Sequence, residues 1–477
     1  MKADHLCPPA PEPLEEYAAE FDSVFVSTAQ RRGFRGYLTG LLQPRERNKT
    51  LTALAGAEPV KGAQHPAVQR LQYFLSESVW DAEKVNERRL ALLAADPSTA
   101  PHAGGVMVID DTGNRKDGQA TAHVARQYLG SVGKTDNGTV TVSTLWADEG
   151  IYYPLHVAPY TPASLLPDGE DDPQFSTKPK IAAGLAGRAR AAGVPFAAVV
   201  ADSFYGPSQS PTLPAELDRE GVPYVLALKP HQKVSEPGGK SRTPAEAARG
   251  LGWRSRRRPG RWKKVTRRFR DGHTQTWWAA DARLGCWGPD QPVRFVVVTV
   301  DPAKLPGGNT WYLVTNRPRP QGALAGWSEL PAADLAEVTR CYGLRGWVEQ
   351  GYKQVKNELG WADFQVRSDT AIRRHYILVC CAFSFGWRAW FADPPSHHDK
   401  ADSPSPAVPE RQGEAKSSPD PAPSWPVTLR RIRGWLIPHT LLQRIWQAWS
   451  AEPLPPQLRA LLVAVATGQT LRLYLPP

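Results

Sequence analysis

The sequence is poor in cysteine and has no long apolar run. Its 477 residues include five cysteines, and these do not lie at the spacing of a metal-binding cluster. The sequence therefore does not predict a secreted fold held by disulfides. It predicts a cytoplasmic protein with reduced cysteines. No stretch reaches the roughly 18 apolar residues of a membrane span, and the first residues lack the apolar centre of a signal peptide. These shortages argue against the membrane and secreted classes.

Acidic residues are fewer than basic ones. Lys and Arg total 58 and Asp and Glu total 47, so the formal net charge is +11 and the pI is about 9.4. An excess of positive charge suits a polyanionic partner where it clusters. Because 41% of the residues are hydrophobic, the chain can bury a core, and disorder along its whole length is excluded.

The first half of the chain divides into three segments by composition. Residues 1–100 carry apolar side chains at three- and four-residue spacing, which predicts helices, and we assign them to an N-terminal DNA-binding region. Residues 101–228 alternate short β-branched runs with helical stretches, the pattern of an α/β core. Residues 229–325 are rich in Arg, Trp, Gly and Pro with a few strand-like pieces, and are predicted to form a β-rich basic insertion.

The second half begins with residues 326–392, which are predicted to be the helical remainder of the core. Residues 393–424 are rich in Pro and charged or small residues, with almost no large apolar side chain. This composition predicts a disordered linker. Residues 425–477 return to a helical pattern and are predicted to form a C-terminal helical region.

Two predicted strands end in aspartate. The run VMVIDD ends at Asp110 and Asp111, and FAAVVAD ends at Asp202. Ligands of open α/β sheets gather outside the carboxyl ends of the strands. Aspartate also commonly begins a turn after a strand, so either motif alone is a weak signal.

A third signal lies in the segment 341–360. Placed on a helix, it puts two tyrosines, an arginine, a glutamate and a lysine within about 80° of one face. These are Tyr342, Arg345, Glu349, Tyr352 and Lys356. A solvated face with ion pairs is the alternative, but such a face has no need of tyrosines. An acid between cations suits a metal ligand flanked by phosphate contacts.

The spacing of Tyr342, Arg345, Glu349 and Lys356 matches the YREK signature of a large branch of bacterial insertion-sequence transposases. The chain therefore resembles these DDE transposases over roughly residues 20 to 390. The resemblance implies an α/β fold with a ribonuclease-H-like catalytic core. It also implies that the β-rich insertion separates the second acid from the third, and that helical N- and C-terminal regions flank the core.

The resemblance also implies the catalytic residues. Asp111, Asp202 and Glu349 are expected to bind two Mg²⁺ ions, for which Mn²⁺ could substitute, in a two-metal phosphoryl transfer. Neighbouring strand residues face opposite sides, and alignment on the acid-threonine pair favours Asp111 over Asp110. Many relatives have an arginine after the second acid; here Ser203 follows, so that role is absent or supplied elsewhere.

Basic residues are expected to hold the DNA. Within the signature, Tyr342, Arg345 and Lys356 are expected to contact flanking phosphates. Ten of the seventeen residues from 254 to 270 are basic, and aromatic residues, mostly tryptophans, lie within and beside the run. A solvated loop is the alternative, but a basic groove with aromatic platforms is typical of nucleic-acid binding. The expected contacts of this run are Arg256, Arg257, Arg258, Trp262, Lys263 and Lys264, although the sequence does not single out the tryptophan that stacks.

The expected function is that of a DDE transposase, which cleaves DNA at the ends of its insertion sequence and joins them to target DNA. Its partners would be inverted-repeat ends, target DNA and a second copy of the chain in the synaptic complex, within the bacterial cytoplasm and at the nucleoid. Two alternatives are a domesticated, inactive DNA-binding protein and a ribonuclease-H-like nuclease that cuts without joining. The intact acids argue against the first, and the insertion argues against the second.

Overall fold

The computed structural model describes most of the chain. The described residues are 10–207, 211–269, 273–307, 309–393 and 422–449. Most of the predicted linker and the last part of the predicted C-terminal region lie outside the described residues.

The first hundred residues form helices in the part that the structure describes, as their spacing predicted. They are α1 (Glu12–Ala19), α2 (Thr28–Leu42), α3 (Leu51–Leu54), α4 (Pro66–Ser76) and α5 (Ala82–Ala95). Helix α2 begins at a capping box in which Ser27 and Gln30 satisfy each other's backbone N–H groups. Its apolar residues, among them Phe34 and Leu38, are fully buried.

The middle of the chain alternates strands with helices. Its elements are β1 (Val106–Arg115), β2 (Ala125–Leu129), β3 (Lys134–Ala147), β4 (Tyr152–Tyr160), α6 (Lys178–Ala191), β5 (Val199–Ala201), α7 (Thr212–Arg219) and β6 (Tyr224–Ala227). Strands β1, β5 and β6 run parallel to one another, whereas β3 is antiparallel to β1, β2 and β4. The fold is therefore mixed α/β around a large mixed sheet.

The segment predicted to be an insertion is rich in strands. It contains β7 (Val234–Ser235), β8 (Ser241–Arg242), α8 (Pro244–Arg249), β9 (Lys263–Arg268), β10 (Thr274–Ala282), β11 (Arg294–Thr299) and β12 (Thr310–Thr315). The main sheet has the order β2-β3-β1-β5-β6-β12-β11-β10-β9. Strands β9 to β12 therefore extend the core sheet through β6, with β9 at the far end.

Helices follow the last strand and cover the sheet. They are α9 (Leu335–Gly343), α10 (Gly346–Asn357), α11 (Asp369–Ala392) and α12 (Trp425–Trp449). Helix α11 is buried along most of its length, because the sheet lies on one side and the N-terminal helices and α12 on others. No helix among the described residues is both long and apolar enough to cross a membrane.

Candidate active site

Two aspartates lie side by side at the carboxyl edge of the parallel strands. In the register of β1 and β5, Ile109 pairs with Ala201. The next residues, Asp110 and Asp202, are therefore neighbours on adjacent strands. Residues in register on adjacent strands project from the same face of a sheet, so the register brings Asp202 next to Asp110.

Asp110 and Asp111 face opposite sides of the sheet. Asp110 pairs with Ser143 of β3, and Ser143 Oγ lies 2.7 Å from Tyr352 Oη of α10. Asp110 is therefore on the face that α10 covers. Asp111 points to α6 instead, where Lys178 Nζ lies 2.6 Å from its Oδ2. The choice of Asp111 as first ligand stays a prediction, but the contacts of both residues support Asp110.

Arg345 lies between Asp110 and Glu349. Its Nη2 lies 3.4 Å from Asp110 Oδ2, and its Nη1 lies 3.6 Å from Glu349 Oε1. Burial of Asp110 raises the pKa of its carboxyl to about 7 although Arg345 opposes the shift, and the negative charge of Asp202 raises it further. The structure thus gathers two aspartates, one glutamate and one guanidinium at one edge of the sheet.

The segment predicted to be one continuous helix is interrupted. Helix α9 ends at Gly343 and α10 begins at Gly346, so the prediction of an unbroken helix over 341–360 is wrong. Both residues between them keep helical backbone angles; Arg345, for example, has φ −54° and ψ −31°. The predicted face survives the break, because Tyr342 and Arg345 both interact electrostatically with Asp110 and Asp202. We call Leu344 and Arg345 the α9–α10 junction.

The other signature residues are engaged with protein groups. Tyr342 packs edge-on against Trp311, with ring centroids 5.0 Å apart, and burial raises its pKa to about 12. Lys356 Nζ donates a hydrogen bond to the Gly113 carbonyl at 3.0 Å, and burial lowers its pKa to about 8. The side chain of Glu349, in contrast, is 63% exposed.

Sequence reasoning missed two residues beside the acids. Lys178, in the first turn of α6, lies over the rings of Phe204 and Tyr160 at 5.3 and 5.7 Å. It therefore supplies a cation beside the segment that follows Asp202. Tyr205 is buried, and burial together with the nearby aspartates raises its pKa well above the usual value. Only the departure from arginine after Asp202 pointed to this segment; no local pattern marked Lys178.

The basic run lies at the far end of the sheet. Lys263 and Lys264 begin the terminal strand β9, and the turn before it carries Arg256, Arg257 and Arg258; all five side chains are exposed. Trp262 is only 2% exposed, and its Nε1 donates to the Gly252 carbonyl at 3.0 Å. Its ring has no face open to a base, which argues against the predicted stacking role.

The carboxylates suit a divalent cation by their chemistry. Hard cations such as Mg²⁺ take oxygen ligands, and Asp110 and Asp202 lie side by side with their charges in mutual repulsion. Among the described residues no three His, Cys, Asp or Glu side chains are close enough to hold one ion. Glu349 faces solvent beside Arg345, so it would have to turn toward the aspartates to share a metal with them.

Comparison with known proteins gives two findings. The family model described as DDE superfamily endonuclease matches residues 20–283. A curated relative from Microchaete diplosiphon, "Probable transposase for insertion sequence element IS701", is 32% identical over 353 residues. That alignment covers 74% of this chain and 81% of the relative.

Proposed function

The chain belongs to the DDE superfamily of endonucleases as a transposase, and we propose that it cleaves DNA at the ends of its insertion sequence and joins them to target DNA. The observation that carries this proposal is that Arg345 lies 3.4 Å from Asp110 and 3.6 Å from Glu349, with Asp202 beside Asp110. These residues come from three elements that are far apart in sequence. A solvated helix face would not bring Glu349 of α10 and the neighbouring Arg345 to the ends of two strands.

The core is proposed to be ribonuclease-H-like. Central strand β1 has an antiparallel neighbour on one side and parallel strands on the other, and α10 carries the third acid across its face. The insertion between Asp202 and Glu349 is proposed to be the segment with β9 to β12, which widens the sheet. The helical N-terminal residues are proposed to bind DNA as well.

Enzymes of this superfamily generally depend on divalent metal ions. We propose that Asp110, Asp202 and Glu349 hold two Mg²⁺ ions, with Mn²⁺ as a substitute. Bound ions would supply activation of the attacking hydroxyl and stabilisation of the leaving oxygen. The chain itself must hold the scissile phosphate in line with the attacking group.

The remaining signature residues are proposed to hold the DNA backbone. Arg345 lies between two acids and can pair with a phosphate once cations neutralise them. Tyr342 and Lys356 flank it on the same face and are proposed to contact neighbouring phosphates. The exposed residues of the basic run are proposed to bind the end of the element along β9; these are Arg256, Arg257, Arg258, Lys263 and Lys264. A pair of chains is proposed to join the two ends at the nucleoid.

The test compares two glutamates of the same segment. Glu349→Ala should abolish Mg²⁺-dependent cleavage of the element's ends and leave their binding nearly unchanged, because it removes a ligand but no cation. Glu358 pairs with Arg433 of α12 at 2.7 Å, away from the aspartates, so Glu358→Ala should still cleave. Cleavage by Glu349→Ala, or an equal loss of cleavage in Glu349→Ala and Glu358→Ala, would contradict the proposal that Glu349 is a metal ligand. Joining of the cut ends to a target plasmid distinguishes a transposase from a simple nuclease.

A further inference from the structure

Arg267 of β9 lies among aromatic rings close to the active site. Its guanidinium carbon is 4.7 Å from the centroid of Phe269 and 5.0 Å from the centroids of both Trp277 and Trp311. Burial lowers its pKa, but a guanidinium stays charged in proteins. A cation that lies against aromatic rings is held more strongly when it is desolvated than when it is exposed. Arg267 is therefore held in place by the rings around it.

The same side chain reaches the α9–α10 junction. Its Nη2 donates to the carbonyl of Gly343, the last residue of α9, at 3.5 Å. A Cβ on Gly343 would lie 2.5 Å from that nitrogen, so a side chain at position 343 would displace the guanidinium. Trp311, which stacks under Arg267, also packs edge-on against Tyr342. Arg267 thus contacts the end of α9 directly and Tyr342 through one ring.

Strand β9 has two different faces. Val265, which is buried, and Arg267 project toward α9, because alternate residues share a face. Lys264 and Thr266 project to the other side and are exposed, and Lys263, which begins the strand on the face of Val265, is exposed as well. Arg267 therefore connects strand β9, which is proposed to lie along the DNA, to the α9–α10 junction. That junction contains Arg345 and is followed by Glu349.

We propose that Arg267 is a positioning residue that fixes the α9–α10 junction and so places Tyr342, Arg345 and Glu349 for cleavage. The inference rests on the proposed function and assigns Arg267 no contact with the reacting atoms. Because Arg345 is one of the two residues of the junction, a shift of the junction moves its guanidinium relative to Asp110. The planar guanidinium can lie against aromatic rings and still donate in its own plane to Gly343, whereas the ammonium of lysine has no planar face to stack.

The first test separates rate from binding. Arg267→Met and Arg267→Lys should both lower the rate constant for cleavage of bound ends by on the order of 10²-fold, as a misplacement near 1 Å does. The affinity for the ends and its salt dependence should stay close to those of the wild type, and the loss of rate should exceed any loss of folded protein at the assay temperature. Arg388, which lies 5.8 Å from the ring of Tyr17, is the matched control: Arg388→Met should cleave normally.

Two results of this test would overturn the inference. Weaker binding with a flatter salt dependence, rescued by Arg267→Lys, would make Arg267 a direct phosphate contact. If the cleavage rate of a variant falls by the same factor as its folded fraction, Arg267 is a structural residue and not a positioning residue.

A second test needs no DNA. With 3-fluorotyrosine at position 342, Arg267→Met should shift the ¹⁹F resonance, whereas Arg388→Met should not. An unchanged resonance would refute the link between Arg267 and Tyr342 whether or not the enzyme cleaves. A wild-type protein that binds but never cleaves would refute the proposed function instead, and the resonance would still decide the link.

Discussion

At the scale of single residues, two adjacent aspartates differ only in what faces them. Asp110 faces Arg345 and lies beside Asp202, whereas Asp111 pairs with Lys178 of α6. The sequence shows that one of them must point at the site, because neighbours in a strand alternate. It cannot show which, since the answer depends on the face that α10 covers, and α10 is more than two hundred residues away in the chain.

We expect Asp110→Asn to lose more cleavage than Asp111→Asn. The first change removes a carboxylate beside Asp202 on the face of α10, and the second breaks an ion pair with Lys178 on the other face. Single-turnover cleavage of end DNA in Mg²⁺ should fall by orders of magnitude in the Asp110 variant and much less in the other. A larger loss of cleavage in Asp111→Asn than in Asp110→Asn would identify Asp111 as the first metal ligand. Unfolding midpoints of both variants control for loss of structure.

Lys356 should make DNA binding depend on pH. Burial lowers its pKa from 10.5 to about 8, so its charge is lost as the pH rises through about 8. The unfolded chain binds more protons between about 8 and 10.5, so this group's contribution to stability rises with pH in that window. Affinity for end DNA should nevertheless fall from about pH 7 to 9, because an ammonium attracts phosphate and an amine does not.

Lys116 provides the matched control for that titration. Burial also lowers its pKa to about 8, but its Nζ donates to the carbonyls of Ala362 and Phe364. Lys356→Arg keeps its charge and should hold the affinity constant over the same pH range, whereas Lys116→Arg should not. Binding that weakens equally in wild type and Lys356→Arg would remove Lys356 from the DNA contacts.

At the scale of elements, the sequence predicted local features such as helix faces and strands better than it predicted which strands pair with each other. The spacing of the signature residues predicted their common face, and the face survived although the helix breaks at the α9–α10 junction. The composition of the basic segment predicted strands and exposed charge. It did not predict that β9 to β12 join the core sheet, because strand pairing depends on distant partners. The burial of Trp262 was missed for the same reason, since the Gly252 carbonyl and the packing around it are set by tertiary structure.

The basic run should account for part of the salt dependence of DNA binding. Neutralising its five exposed residues, Arg256, Arg257, Arg258, Lys263 and Lys264, should flatten the slope of log affinity against log salt. Each lost phosphate contact reduces that slope by roughly 0.9 on duplex DNA. The loss should be similar on end DNA and on unrelated DNA, since phosphate contacts carry no sequence information. An unchanged slope in a folded variant would mean that the run faces away from DNA.

At the scale of the whole molecule, helices from both ends of the described chain enclose the core. Trp425 of α12 is fully buried, stacks on Phe383 of α11 at 4.7 Å, and donates from Nε1 to the Phe383 carbonyl. Arg433 of α12 also donates to the carbonyl of Leu42, at the end of α2. Helix α12 therefore ties the N-terminal helices to the helix that backs the catalytic sheet.

Trp425→Ala should destabilise the protein without altering its chemistry. Removal of a large buried ring costs about 3–5 kcal/mol, which denaturant unfolding would measure. Near room temperature the folded fraction should still cleave end DNA at the wild-type rate, because Trp425 does not contact the acids. A normal free energy of unfolding would show that α12 does not pack on α11 in solution.

The position of β9 at the end of the sheet has a consequence for solubility. In the part of the chain that the structure describes, no strand pairs with its outer side, so its free backbone groups could accept a strand from another copy. Lysine and arginine on such an edge repel a second identical edge, and β9 reads KKVTRR. The charges proposed to hold DNA therefore also keep free copies apart, and their neutralisation should make the protein prone to aggregate in the absence of DNA.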